Sequence, residues 1–412
     1  MDNKNLIKPM DKTEKVLLFV MIYLVLSVVC FLWLHFALYS KTVFSDMAET
    51  LSYCIIDNPY SGEYGIRSIY PPFAYLPFYL FALIAYKPLT QYEQGVISLF
   101  QLNKEPAFLV SFILFYIICL GLIMFLSAKL SGFKGKKLVY LLISIACFGP
   151  ILHCFCRGNN IISCLVFVML FFWLYNSGKR WHKEIANLCL ACAIAIKIYP
   201  ILIVLFFIKD RRFMDLLKTI GYSLFLIFIP FLLIDGGFGN LSHIWNNFTV
   251  FNTGQERQLD TVNISLDAFA SWFSILLGLG QTAFYPILSK VLRFGLVLTT
   301  IITFAVCGKS KLKMQVILCA LLTYEMFMGV SYAYTLIFLI IPIIEYFKEY
   351  ENISKINKWY YGICFLIISF PLFAGLKEFT GVRIVLIALV VKAVADIILD
   401  EIKQRKKIKE VV

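Results

Sequence analysis

Three segments of this chain carry residue types that could do chemistry. The first, Phe44-Ser45-Asp46-Met47-Ala48-Glu49, sits a few residues past a long apolar run. A carboxylate held at a bilayer surface is partly desolvated, and Asp46 is therefore suited to act as a base; the plainer alternative is a solvated loop acid. The same stretch continues through Asp57-Asn58-Pro59-Tyr60 to Tyr70-Pro71-Pro72-Phe73, where paired prolines fix the backbone direction and imply an ordered loop. The second segment is Cys156-Arg157-Gly158-Asn159-Asn160. An arginine with two amides makes a donor set for phosphate oxygens or sugar hydroxyls, while glycine and asparagine are equally the residues of a tight helix–helix turn. The third is Ala195-Ile196-Lys197-Ile198-Tyr199-Pro200. A lysine this deep in an apolar stretch is expensive and marks a functional position by default, with snorkelling to an interface as the competing reading.

Other candidates are weaker. Glu325 either lines a cavity or belongs to a buried structural pair. Lys392 and Asp396 lie four apart and should pair with each other. His153 and His243 are isolated, so no metal-ligand set is visible. Cys189 and Cys192 sit mid-helix without a second pair, which makes them packing residues. The chain has no phosphate-binding glycine loop, dinucleotide fingerprint, nucleophile elbow or zinc-peptidase motif, so a soluble nucleotide-dependent enzyme is excluded.

The elements that must position these residues are membrane helices. Of 412 residues, 60% are apolar or aromatic and only 15% charged, and the mean hydropathy is +0.82. A soluble domain has about 45–50% apolar and about 25% charged residues. The formal charge of +13 is gathered in short runs between apolar stretches, as in cytoplasmic membrane loops, and not spread as a nucleic-acid binder needs. The twelve cysteines lie mostly in apolar runs, with only Cys54 clearly in a polar loop, so no external disulfide framework is implied. The expected fold is an all-α integral membrane bundle of about 10–12 spans in one domain.

Clear spans are Val16–Tyr39, Phe108–Leu126, Leu138–Phe155, Ile161–Tyr175, Ile185–Ile208, Leu216–Ile234, Phe284–Cys307, Val316–Val330, Tyr332–Phe347, Tyr360–Ala374 and Val382–Leu399, with Phe73–Tyr86 as a proline-interrupted twelfth. The basic tails at residues 1–15 and 400–412 place both termini in the cytoplasm. The runs Lys134–Lys137 and Lys179–Lys183 are also basic, and they stay cytoplasmic only if Phe73–Tyr86 and Ile185–Ile208 dip in and return. Each carries an interior proline, Pro77 or Pro200, and broken helices are tolerated where they line a polar cavity. Ten crossings with two re-entrant hairpins are therefore preferred over twelve plain crossings. The loops at 40–72 and 235–280 then face the extracytoplasmic side, and the second contains an amphipathic stretch, Ser265–Leu277.

Taken in order, Asp46, Asn58-Pro59-Tyr60, Tyr70-Pro71-Pro72-Phe73, Arg157-Gly158-Asn159 and Lys197-Ile198-Tyr199-Pro200 resemble the GT-C superfamily of polyprenyl-phosphate-sugar glycosyltransferases. The chain is most similar to glycosyltransferase family 87, and the Arg-Gly-Asn and Lys-Ile-Tyr-Pro pair also resembles the catalytic subunit of GPI mannosyltransferase I. The resemblance runs over residues 16–210, and later rests on Asn263-Ile264-Ser265-Leu266. One departure is Gly329-Val330-Ser331-Tyr332-Ala333-Tyr334, where family members often carry a proline and a histidine; Tyr334, Lys197 or Arg157 would then take over donor phosphate binding.

The resemblance implies an inverting transfer of a hexose, mannose by analogy, from a polyprenyl phosphate to a lipid or glycan acceptor. Asp46 would be the base. Arg157, Asn159, Asn160, Lys197, Tyr199, Tyr70, Glu49, Glu325 and Tyr334 would bind substrate. It implies no cofactor beyond the lipid-linked donor and no nucleic-acid partner, in a bacterial plasma membrane; metal use stays open. A transporter or flippase, or an O-antigen polymerase or ligase, is the alternative reading. The first predicts internal repeats, which are absent, and the second prefers arginines in the late loop, which holds only Arg257.

Overall fold

The computed structural model describes residues 9–38, 44–61, 68–253, 263–279, 284–306, 312–370 and 381–411. Among these the regular structure is helical, with a single isolated bridge between Asn263 and Tyr332. Apolar chain has little choice here: in a hydrocarbon environment each backbone N–H and C=O needs a partner within its own segment, and a helix supplies it.

The bundle has two ends. α1 (Lys12–Leu38) lies along α7 (Gly135–Ala146), and Asp11 just before α1 forms an ion pair with Lys137. That contact defines one end, called here the Lys137 end. α2 (Ser45–Ser52) lies at the other, the Asp46 end, so what the sequence presents as a loop opens with a helix. Phe73–Tyr86 becomes two short 3₁₀ turns and α3 (Tyr79–Ile84), followed by α4 (Tyr86–Glu93) after a bend of 105°. This segment stays at the Asp46 end, where the Phe81 carbonyl accepts from Ser111 near the start of α6 (Pro106–Ser131) at 2.7 Å; α5 (Leu99–Leu102) leads into it.

α6 crosses to the Lys137 end, and α7 with α8 (Gly149–Arg157) returns, bent by 42° at the Cys147–Phe148 break. α9 (Ile161–Tyr175) runs back down, its far end fixed against α6 by the Phe125 and Trp173 rings. α10 (Arg180–Ile196) then climbs to Lys197, whose extended backbone (φ −147°, ψ 130°) stops the helix. Pro200 starts a 3₁₀ turn, Tyr199–Val204, which descends through α11 (Leu205–Lys209). The foot is closed where the Tyr175 hydroxyl lies within hydrogen-bond reach of the Phe206 carbonyl, at 3.0 Å, and of Asp210, at 2.9 Å, its one hydrogen serving either acceptor. Arg212 donates to the Tyr175 carbonyl at 2.8 Å, with its guanidinium over the Tyr175 ring. Ile185–Ile208 is thus a hairpin with Lys197 at its tip and both ends at the Lys137 end.

α12 (Phe213–Phe228) and the 3₁₀ turn after it climb again to Asp235, whose carbonyl accepts from Asn58 at 3.0 Å. The region 235–280 holds α13 (Asn240–Thr253) and α14 (Leu266–Leu276), the latter capped by Ser265 and matching the expected amphipathic stretch; Arg257 lies outside the described residues. α15 (Phe284–Val306) and α16 (Lys313–Phe327) are joined mid-length by Thr300 and Thr323 at 2.6 Å. A 3₁₀ segment, Ala333–Leu339, runs into α17 (Ile340–Glu349), where Glu345 pairs with Lys313 at 2.9 Å. α18 (Lys355–Ser369) and α19 (Gly381–Val411) close the bundle. Lys392 and Asp396 of α19 do pair, and Asn357 and Tyr361 of α18 complete that cluster.

Three described helices, Pro106–Ser131, Phe213–Leu233 and Phe284–Ala305, are long and apolar enough to cross a membrane, or five if each bent pair counts as one span. The apolar runs in the sequence are more numerous because several are broken into shorter pieces. The breaks at Cys147–Phe148, Lys197 and 328–332 cluster toward the Asp46 end, where backbone gives up helical bonds to shape a polar site.

Helix contact near that end is close. A Cβ built on Gly149 would lie 2.8 Å from the Ser369 carbonyl oxygen and 2.9 Å from the Phe370 carbonyl carbon. Backbone cannot swing aside as a side chain can. Gly149→Ala should therefore destabilise the protein by about 1–3 kcal/mol, read as a lowered unfolding midpoint in lipid nanodiscs. Gly121→Ala, with nothing within 4 Å of the new carbon, should leave the midpoint almost unchanged.

Candidate functional site

The Asp46 end brings the three sequence segments into one hydrogen-bonded network. Arg157 donates to Asp46 through Nη2 at 2.6 Å (to Oδ1) and through Nε at 3.2 Å (to Oδ2). Asn159 Nδ2 donates to Oδ2 at 2.6 Å. Ser45 makes a longer contact, 3.3 Å, to Oδ1. The Asn159 side chain then turns its oxygen to Lys197, whose Nζ donates to it at 2.8 Å. One amide thus links a carboxylate on one side to an ammonium on the other.

Local backbone explains how α2 is held so close. Phe44, the residue before α2, sits in the left-handed region at φ 61°, a cost of about 1–2 kcal/mol for a residue with a side chain. Its N–H donates to the Cys156 carbonyl at 2.9 Å, and its ring packs on Phe112 at 4.0 Å between centroids. Gly158 ends α8 at φ +70°, and a Cβ there would come within 2.6 Å of the Met47 Cβ. A glycine is therefore required twice over, by conformation and by the approach of α2. The buried Tyr116 hydroxyl reaches the carbonyls of Cys154 at 2.8 Å and Asn159 at 2.9 Å, pinning the turn from inside.

Aromatic rings surround the two cations. Lys197 Nζ lies 4.9 Å from the Tyr70 ring centroid and 5.6 Å from that of Tyr334, and the Arg157 guanidinium lies 5.8 Å from Tyr332. Desolvation, followed by the negative charges of Asp46 and Glu49, pushes the Tyr70 phenol above its ordinary value, so it stays neutral and able to donate. Lys197 and Asn159 are each 3% exposed, whereas the Asp46 and Arg157 side chains keep 13% and 38%. The ion pair is open to an incoming molecule; the lysine supports it from below.

The remaining candidates divide. Tyr199 belongs to the wall, its ring 5.2 Å from Tyr324. Glu325 is buried on α16 behind that wall, with no hydrogen-bond partner for either carboxylate oxygen. Asn160 is buried at the start of α9, its side-chain nitrogen unpartnered, and stands outside the network. Glu49 is exposed one turn beyond Asp46. His243 is exposed on α13, while the His153 ring lies 5.8 Å from Tyr334 at the edge of the site. Sequence reasoning misses Tyr116, Tyr332 and the role of Asn263. Asn263 Oδ1 accepts from the Ser331 N–H at 3.0 Å, and its carbonyl accepts from the buried Arg383 at 2.8 Å. That clamp fixes the segment carrying Tyr332 and Tyr334. No group of three or more metal-ligating side chains occurs among the described residues.

Chemically the arrangement offers a carboxylate for a proton and two cations. Arg157 uses two of its N–H groups on Asp46 and, being part-exposed, keeps others for an anion, while the buried Lys197, bonded to Asn159, stands behind it. The sequence matches the model of glycosyltransferase family 87 over residues 69–331, well over half of the chain. The chain belongs to glycosyltransferase family 87. It is accordingly a membrane glycosyltransferase, acting on a sugar donor and an acceptor. The family 87 match takes in Arg157, Asn159, Lys197 and Glu325 and ends at Ser331; Asp46 precedes it and joins the site through space. No curated protein matches the chain significantly.

Asn159→Ala would leave a buried ammonium without its oxygen and take a donor from Asp46. The expected loss is about 2–4 kcal/mol of stability, measured by denaturant unfolding in a mild detergent. Asn160→Ala, outside the network, should cost less than about 1 kcal/mol.

Proposed function

We propose that this family 87 protein moves a hexose, with mannose the first candidate, from a polyprenyl-phosphate donor to a lipid or glycan acceptor by inversion. The observation that carries the reading is the Asp46–Arg157–Asn159–Lys197 network: one carboxylate beside two cations, at one end of an apolar bundle.

The donor phosphate takes the free N–H groups of the part-exposed Arg157, with the buried Lys197 adding positive charge behind the pair. An acceptor hydroxyl displaces the long Ser45 contact on Asp46 Oδ1 and gives up its proton to the carboxylate. Its oxygen attacks the anomeric carbon from the face opposite the phosphate, the carbon–oxygen bond to phosphate breaks, and polyprenyl phosphate leaves with one more negative charge than the diester carried. Fixed donors aimed at that developing charge cost no reorganisation in a water-poor site, and each can contribute about 3–4 kcal/mol to the barrier reduction. The lipid tail lies along the bundle, and no nucleotide-binding domain is needed.

On this reading the Asp46 end faces the extracytoplasmic side and both termini the cytoplasm. Support comes from the charges at the opposite end, where Lys137, Arg212, Lys313 and Lys348 gather beside the helix feet. The Lys197 hairpin returns to that same end and so keeps Lys179–Lys183 and Lys209–Arg212 together.

The test is transfer from radiolabelled polyprenyl-phosphate mannose to a glycolipid extract, with purified protein in nanodiscs. The wild type should label a new lipid, and Asp46→Asn at equal folding should label it at least about 100-fold more slowly. Equal rates would assign the base to another carboxylate. An absence of transfer from every polyprenyl-linked sugar would favour a transporter.

A further inference from the structure

A second concave feature lies at the Asp46 end, beside the network and separate from it. It is a groove of about 530 Å³ between the segment following α2, α3 and the stretch 230–235. Tyr53, Tyr75, Tyr79 and Tyr86 line it together with Asp57 and Asp235, both of them exposed. Leu76, Leu83 and Leu233 continue it along the apolar flank of the bundle, where all three are exposed.

The groove is built, not incidental. Asn58 Nδ2 donates to the Asp235 carbonyl and to Asn240 Oδ1, each at 3.0 Å, tying the two walls together. Asn247 donates to the carbonyls of Tyr60 and Ser68 at 3.3 and 3.0 Å, which fixes the chain on the other side. Tyr53 and Tyr75 meet edge to face at 5.3 Å. Burial pushes the Cys54 thiol in the wall up to about 12, so it stays neutral. Asp57 and Asp235 are then the charges of the groove among its described lining residues.

Tyr53 follows Asp46 by seven residues, two helical turns, so the groove begins about 10 Å along α2 from the carboxylate. Its charge is opposite to that of the Arg157–Lys197 face. A phosphate placed between Asp57 and Asp235 would meet like charge. Hydroxyls donate well to carboxylates, and the C–H faces of a pyranose pack on electron-rich aromatic rings.

We propose that this groove seats the acceptor, and that the acceptor is a glycolipid whose sugars are hydroxyl-rich and not anionic. The sugars lie against the tyrosines with hydroxyls on Asp57 and Asp235, and the apolar tail follows Leu76, Leu83 and Leu233. The inference rests on the transferase reading above for the word acceptor; the binding it describes can be measured without turnover.

The experiment uses the full chain in nanodiscs and two probes, octyl β-maltoside and octyl β-glucuronide, the second carrying a carboxylate. Binding is read by saturation-transfer NMR. The wild type should favour the maltoside by about tenfold, and Asp57→Lys with Asp235→Lys should reverse the preference. A gain of glucuronide binding cannot come from misfolding. Tyr79→Ala, a surface change, should weaken the maltoside about fivefold or more. Equal binding of both probes by the wild type, or an unchanged preference in the double-lysine variant, overturns the proposal even where sugar transfer is observed. The expected preference without any transfer would instead sink the transferase mechanism and leave a glycan-binding groove.

Discussion

A buried ammonium decides much of this architecture. Lys197 sits where water cannot solvate it, and an unpaired charge there would cost more than most side-chain contacts return. Its solution is a neutral oxygen, that of Asn159, whose own amide nitrogen is committed to Asp46. The lysine therefore needs the turn after α8, and the turn in turn needs α2. Three separate stretches of chain converge on one buried lysine, and the order of those dependencies runs from the interior outward. The outer pair, Asp46 with Arg157, keeps the exposure that the lysine gives up.

Helix breaks are the structural expression of the same constraint. A continuous α10 through residue 200 would carry Lys197 onto a helix face directed by the 3.6-residue repeat. The extended residue followed by a 3₁₀ turn instead presents it at the tip, and the return leg brings the chain back to Tyr175. At the other end of the hairpin Tyr175, Arg212 and Asp210 close the foot, so the two legs stay together below the break. The bend at Cys147–Phe148 and the clamp of Asn263 on Ser331 do comparable work for Arg157 and for Tyr332. Rigid elements end where the polar site begins, and this is why several apolar runs give helices too short to count as spans by length.

Much of this is legible from residue type alone. Lysine at depth, proline three residues later and a basic flank on each side identify the hairpin, because the cost of a buried charge and of a broken helix are local facts. Asp46, Arg157 and Asn159 are legible as donors and acceptors, though their mutual contact is not, since 111 residues separate Asp46 from Arg157. Tyr116, Tyr332 and Asn263 escape because an aromatic or an amide in an apolar chain has ordinary packing uses, and only the third dimension distinguishes them. Asn160 shows the converse. It shares the motif with Asn159, yet the helix that starts at Ile161 points the neighbouring side chain away from Asp46. Adjacent residues at a helix start face different directions, so a motif of two amides supplies one ligand.

The distribution of charge around the site argues for division of labour. Arg157 and Lys197 lie on one side of Asp46, and Asp57 and Asp235 line the groove along α2. On the proposed reading, two substrates that both carry sugars and lipid tails would otherwise compete for the same apolar flanks. Phosphate is the feature that differs, so a cationic face and a carboxylate-lined face sort them by the sign of one group. Asp46 stands at the junction with its charge already neutralised by Arg157. Neutrality there matters to the proposed mechanism, because an uncompensated carboxylate would repel an approaching phosphodiester donor. On the proposed mechanism the arginine thus serves twice, screening the base from the donor before the bond breaks and receiving the negative charge as it forms.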